Sequence, residues 1–227
     1  MSSNVSARIN YRVQPFGTGV TAEVSRDLAS LHGALLSHSP VALLGPDFMS
    51  RFYYSVLPRM GLISGAVAYM DDRPAGFIVV TDDSSGFMQQ AIRRSLFRIG
   101  WVMATSVLKD PKRIAAVWEA LQIMRNLPPP DPNAPQSGEV LSFGVMPEFR
   151  AREFMIRTKL RISQDLLKSA MGQFADKKVT RARVIVDADN LEARLFYLGN
   201  GWQPGLDVVP GWRKKTVEFL WQPASAG

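Results

Sequence analysis

Two apolar runs, residues 62–70 and 75–82, flank the tetrapeptide Asp71-Asp72-Arg73-Pro74. Apolar runs of this length bounded by turn-forming residues read as strands, and the pair reads as an antiparallel hairpin. The hairpin commits the chain to a sheet. Every other patterned segment must then extend that sheet or cover it.

Residues 8–14 alternate apolar and polar, which predicts a half-buried strand with Pro15 as its stop. Gly17 and Gly19 make a turn. From Thr21 the period changes: Val24, Leu28, Leu31 and Leu35 recur at helical spacing and turn one apolar stripe toward a core. A second helix is expected after Gly45, with Pro46 in its first turn, Phe48, Phe52 and Val56 on its inner face, and Pro58 at its end. Residues 86–126 are patterned as helix. The Pro-rich stretch 127–138 cannot continue it, because proline lacks the N–H and clashes with the preceding turn. Glu139 to Met146 read as a strand. One long helix is expected over about 155–175, with Ile156, Leu160, Leu167, Ala170 and Met171 on one face. A strand at 181–187 and a short helix at 190–199 follow, and Val217, Phe219 and Trp221 alternate in a last strand. No internal repeat is visible.

The chain has 227 residues, which fits one domain over 1–227 with 84–138 as a helical insertion and linker inside it. Hydrophobic residues make up 46%, enough for a proper core. No apolar run reaches the roughly 18 residues that span a bilayer. The start, Met-Ser-Ser-Asn-Val-Ser, lacks the basic-then-apolar layout of a secretory signal. Cysteine is absent, which excludes disulfides and thiolate metal sites, and His32 and His38 are the only histidines. A cytoplasmic protein without a metal is the expectation.

Charge is unevenly placed. Residues 89–125 carry +5 and residues 148–183 carry +6, so the remainder is negative against a total of +7. Such clustering suits an anionic partner: nucleic acid, a phosphorylated cofactor or an acidic membrane surface. A solvated face is the ordinary alternative. No recognised nucleic-acid motif is present, which ranks that partner last.

Residues 184–202 carry the most specific signal. Val184, Ile185 and Val186 lead to Asp187 and Asp189, and Asn190 opens N-x-x-A-x-x-F-Y-x-x-x-G-W through Ala193, Phe196, Tyr197, Gly201 and Trp202. This string after a strand resembles the late motif of the GNAT superfamily, the acyl-CoA-dependent N-acyltransferases. The order strand, two helices, hairpin, strand, helix, strand, helix, strand is similar to that fold over nearly the whole chain. The resemblance implies an α/β (α+β) domain with a mixed, mostly antiparallel sheet flanked by helices. The helical insertion between the third and fourth strands is a departure.

The resemblance also implies a site. In the family, the CoA pyrophosphate rests on backbone N–H groups between the fourth strand and the next helix, where the motif reads [RQ]-x-x-G-x-[GA]. A helix N-terminus supplies unpaired donors and a positive dipole end. Ser142 to Arg150 resemble the family's strand and lead-in. Aligned without a gap, the small positions fall on Glu153 and Met155, and the apolar pair beyond on Thr158 and Lys159. With the loop eight residues longer they fall on Arg161 and Ser163, and the apolar pair on Leu166 and Leu167. The second register also gives the family's spacing from Ser163 to Asn190 and is preferred. It places Arg161, Ile162 and Ser163 near the phosphates, with Arg150, Arg152, Arg157 and Lys159 supplying charge from the loop. Solvation of a long helix is the alternative role for these cations.

By the same resemblance, pantetheine lies along Phe143, Gly144 and Val145, and a backbone N–H at Val145 or Met146 meets the thioester carbonyl. Asn190 becomes a pantetheine contact; its alternative is a helix N-cap, and both roles are compatible. Tyr197 becomes the general acid to the departing thiolate, its alternative being aromatic packing beside Phe196. No general base stands out: Glu139 and Asp187 are candidates, and His32 reads as a surface or packing residue.

The implied activity is acyl transfer, acetyl being expected, from acetyl-CoA or another acyl-CoA to an amine-bearing acceptor of unknown class. A catalytically weak or inactive acyl-CoA-binding or interaction module of the same fold is the alternative. In the insertion, Phe87, Met88, Ile92, Leu96, Phe97, Ile99, Trp101, Val102 and Met103 interleave with Arg93, Arg94 and Arg98. That mixture suits packing on the domain's own sheet, a homodimer contact, a peripheral membrane or acidic partner, or a cover over the acceptor groove.

Overall fold

A computed structural model describes residues 10–84, 86–87, 90–91, 137–207 and 215–222. The insertion expected over 84–138 lies almost entirely outside these residues. Its described start carries Phe87 and Ala91 into the core, with Asp83 Oδ1 accepting the Gly86 N–H.

Among these residues, seven strands form one sheet in the order β1-β2-β3-β4-β5-β7-β6. The edge strand β1 (Tyr11–Phe16) and the hairpin β2 (Ser64–Met70) and β3 (Arg73–Thr81) are antiparallel. Pro15 lies inside β1 and does not stop it, since β1 is paired on one side only. The hairpin turn is two residues, Asp71 and Asp72, both at positive φ (48° and 61°). That geometry matches the twist of the flanking strands, and Asp is among the residues that tolerate it. β4 (Gly138–Val145) is antiparallel to β3 and parallel to β5 (Ala182–Asp187); β7 (Thr216–Trp221) is antiparallel to β5 and to the short β6 (Gln203–Pro204).

Helix α1 (Ala22–Leu35) starts at an N-cap, Thr21, whose side chain accepts the Val24 N–H, and buries Val24, Leu28 and Leu31. The expected second helix is broken. Short helices α2 (Pro40–Leu43) and α3 (Pro46–Phe48) lead into a π-helix, Met49–Tyr53, and α4 (Val56–Arg59) follows with Pro58 inside it. Phe52 and Tyr53 at the end of the π-helix and Tyr54 just after it are all buried in the core.

The long helix expected at 155–175 is also divided. After α5 (Pro147–Arg150), α6 (Arg152–Thr158) ends at Lys159 in the left-handed conformation (φ 61°), and α7 (Ile162–Asp176) begins afresh. Ile156, expected on the buried face, is 58% exposed, because the break lets α6 turn independently of α7. Helix α8 (Leu191–Gly199) lies between β5 and β6. Two cores result. One packs α1, the π-helix and α4 against one face of the sheet; the other packs α7 and α8 against the opposite face. This is the mixed, mostly antiparallel, helix-flanked sheet that the sequence order implied.

Candidate active site

The sheet opens between its two parallel strands. β4 and β5 pair only at Gly138–Val140 with Ala182–Val184, although both strands run further. The cause lies on the other side of β4. Its pairing with β3 shifts between Val79–Ser142 and Val80–Val140, so Leu141 is an extra residue, a β-bulge. A bulge bends and twists its strand, and here it sits where β4 leaves β5. Leu141 and Ser142 consequently share the α1 face, while Val140, Phe143 and Val145 belong to the α7 face.

Backbone polarity in the gap follows from alternation along β4. The Met146 N–H donates to the Ala75 carbonyl at 2.8 Å, and the Gly144 carbonyl lies against Gly76 so closely that a Cβ there would stand 2.9 Å from it. Residues 144 and 146 therefore face β3. Phe143 and Val145 turn their N–H and C=O groups toward β5, beyond the last ladder pair. An extended amide-bearing ligand could pair with them as a strand would.

The helix end below this gap is α7. Its N-cap residue, Arg161, makes no side-chain capping bond. The Ile162 and Ser163 N–H groups have no hydrogen-bond partner among the described residues. Ile162 is buried, Ser163 half-buried and Arg161 exposed. Arg152, Arg157 and Lys159 are exposed nearby, which makes the region cationic. Asp165, the acid of the first turn, is engaged elsewhere: its Oδ2 accepts the Tyr11 hydroxyl at 2.8 Å. Arg150, expected as a loop cation, forms an ion pair with Glu192 at the start of α8. That pair ties the bank that follows β4 to the bank that follows β5.

Asn190 caps α8: its Oδ1 accepts the Ala193 N–H at 3.0 Å. It is exposed at the C-terminal end of β5. Tyr197 is 2% exposed, and its ring lies among Phe143 (6.5 Å between centroids), Phe196 (5.5 Å), Trp202 (5.1 Å) and Phe219 (6.2 Å). Burial drives its pKa well above the ordinary phenol value. The contact with Phe143 puts Tyr197 beside the opened stretch of β4.

The carboxylate candidates divide. Glu139 is buried and held by Arg183, whose Nε and Nη2 approach Oε2 at 2.9 and 2.8 Å; Arg183 also lies 3.9 Å from Glu218. Burial raises the Glu139 pKa and the Arg183 charge opposes it. Glu139, a candidate general base in the sequence, thus joins β4 to β5 as an ion pair with Arg183. Asp187 is half-buried at the end of β5, its carbonyl accepting the Asn190 N–H.

His32 is fully buried and bonded at both ring nitrogens: Nδ1 to the Tyr54 hydroxyl at 2.5 Å and Nε2 to Ser39 Oγ at 2.6 Å. Tyr54 in turn bonds Ser142 on β4. The reading of the sequence missed Tyr54, Ser142 and Ser39. His32 lies one residue from Leu31 on a buried stripe, which is the signal that could have found it; its partners come from distant segments and left no periodic trace.

Among the described residues, no group of three His, Asp or Glu could hold a metal ion, and no helix is long and apolar enough to cross a membrane. No family model matches the chain, and no curated protein matches it. Solved structures do match. An acetyltransferase of Streptococcus agalactiae is 10% identical with a TM-score of 0.54, over 93% of this chain and 98% of that one. An agmatine N-acetyltransferase is 13% identical with a TM-score of 0.54, over 94% and 100%. The NatC complex bound to Gag peptide and CoA matches at 13% identity and a TM-score of 0.53, over 95% and 99%. With its split parallel pair, bulged fourth strand and flanking helices, the chain has the fold of the GNAT superfamily.

Proposed function

We propose that the chain transfers an acyl group, acetyl in the first instance, from acyl-CoA to an amine. The observation that carries this reading is the short β4–β5 ladder, which leaves the Phe143 and Val145 amides facing a gap near the uncapped N-terminus of α7. The fold shared with N-acetyltransferases supports it.

Such a transfer forms an N–C bond, breaks a C–S bond, removes one proton from the amine and delivers one to sulfur. The Val145 N–H, which faces the gap, would stabilise the oxyanion. Phe143 and Val145 would pair with pantetheine amides, and Ile162 and Ser163 would receive the pyrophosphate with Arg161 beside them. Tyr197 holds its proton at neutral pH because burial raises its pKa.

Thiol release from acetyl-CoA with a panel of amines tests the proposal, and the absence of cysteine removes any protein background. Tyr197→Phe should lower kcat about 100-fold while CoA affinity, read by thermal shift, holds. Equal kcat in both proteins removes Tyr197 from the acid role. One observation favours a second reading, a binding module without turnover: the Tyr197 ring is enclosed on several sides by aromatic neighbours. Stabilisation by CoA without thiol release from any amine would select it.

A further inference from the structure

The bulge in β4 puts Leu141 and Ser142 on one face of the sheet, and the regular alternation of a strand resumes at Phe143. Phe143 faces Tyr197 and α8, and Ser142 faces α1 and the π-helix. On the Ser142 face, four side chains make one continuous hydrogen-bonded line: Ser142 to Tyr54, Tyr54 to His32 Nδ1, and His32 Nε2 to Ser39. Tyr54 and His32 are 0% and 1% exposed, while Ser39 at the far end is half-buried.

Every member of this line can both give and accept a proton. A hydroxyl has one O–H and two lone pairs, and a neutral imidazole has one N–H and one lone pair. The line therefore has two polarities. In one, Ser142 donates to Tyr54, Tyr54 donates to Nδ1, and the Nε2–H donates to Ser39. In the other, each bond is reversed. A proton entering at Ser142 and one leaving at Ser39 convert the first into the second, and no charge stays inside. Hydroxyl rotation and tautomer exchange at His32 restore the start.

We propose, resting on the acyl-transfer reading, that Ser142, Tyr54, His32 and Ser39 form the route by which the acceptor amine loses its proton. Ser142 is the group beside the amine, at the point where β4 leaves β5; Tyr54 and His32 act through it as positioning and relay residues. The acceptor arrives as an ammonium and gives one proton to Ser142 Oγ while Ser39 delivers the balancing proton to solvent; the free amine then bonds to the acyl carbon, and the proton it sheds in becoming an amide balances the one that sulfur receives. Tyr197 supplies the proton to sulfur from the opposite face of β4, so the two transfers do not compete.

Three further observations fit this assignment. The π-helix over Met49–Tyr53 leads directly into Tyr54, with Tyr53 and Tyr54 both buried, and π-turns concentrate at functional sites. His32 is faced by Tyr53 from the π-helix, Tyr54 just after it, Phe77 from β3 and Ser39 from the start of α2, with no charged side chain bonded to it among the described residues. Burial lowers its pKa to about 4, so it is neutral and able to switch tautomer at physiological pH. Glu139, the acid on the same face of β4, is occupied by Arg183.

The test is steady-state thiol release from acetyl-CoA between about pH 6 and about pH 9. The amine is whichever is fastest among a primary alkyl diamine, an amino sugar and a lysine peptide. The parent protein, Tyr54→Phe and Ser142→Ala are compared. At pH 7 each variant should lose about ten-fold or more in kcat, with the KM for acetyl-CoA within about two-fold. The deficit should shrink as pH approaches the pKa of the amine, because solution then supplies the free base. A structural defect would not be repaired by alkali. A deficit constant across the pH range overturns the relay and leaves acyl transfer standing. No thiol release by the parent with any amine overturns both. If Tyr54→Phe does not fold, Ser142→Ala, which removes one hydroxyl from a paired strand, gives the same readout.

Discussion

Replacing His32 by glutamine should remove a specific share of the protein's acid sensitivity. His32 has a reference pKa of 6.5 and is held at about 4 in the folded chain by burial. The unfolded chain therefore binds one more proton than the folded chain between those values. Stability is unaffected by this group above pH 6.5, falls as pH drops through the window, and stops falling below about 4. Integrating the difference gives a loss of about 2 kcal/mol between pH 7 and pH 5, and about 3 kcal/mol by pH 4. Glutamine does not titrate. His32→Gln should be the less stable protein at pH 7, where it forfeits the bonds to Tyr54 and Ser39. The gap between the two should then narrow by about 2 kcal/mol at pH 5. Urea unfolding followed by tryptophan fluorescence at pH 7, 6 and 5 measures this directly. Every other titrating group is common to both proteins and cancels in the comparison. A stability difference that stays constant from pH 7 to pH 5 would refute the reasoning, because it would mean that His32 titrates alike folded and unfolded.

Two further outcomes follow from geometry already described. Gly65→Ala should cost about 3 kcal/mol or more, seen as a lower Tm, because the new Cβ would stand 2.0 Å from the Ile78 carbonyl oxygen of the neighbouring strand. Ser163→Glu should abolish stabilisation by CoA in a thermal-shift assay, whereas Met155→Glu, at an exposed position in α6, should leave it intact. The reverse pattern would move the phosphate seat to the shorter loop.

Much of the fold was legible because it is written in period. The hairpin, α1, β4, β5, α8 and β7 all announce themselves by apolar spacing, and Asn190 stands where a cap belongs. The breaks were not legible. Lys159 ends α6 in a conformation usually signalled by glycine or asparagine, so nothing in its side chain marks the stop. The π-helix violates the very periodicity by which helices are recognised. Within the proposed site, Tyr197 and the α7 start rest on the resemblance to a family. The line from Ser39 through His32 and Tyr54 to Ser142 joins four segments, and only folding brings them together. Leu141, the extra residue that opens the sheet, looks in sequence like any other strand leucine.

That leucine has a consequence for how such a chain tolerates change. The opening depends on how many residues β4 holds between its contacts with β3, and hardly at all on which side chains they carry. Deleting position 141 would realign the strand and close the sheet, whereas exchanging its neighbours for other strand formers would leave the opening in place. A cleft defined by counting in this way can persist through almost complete replacement of its side chains, in keeping with a shared architecture at 10–13% identity.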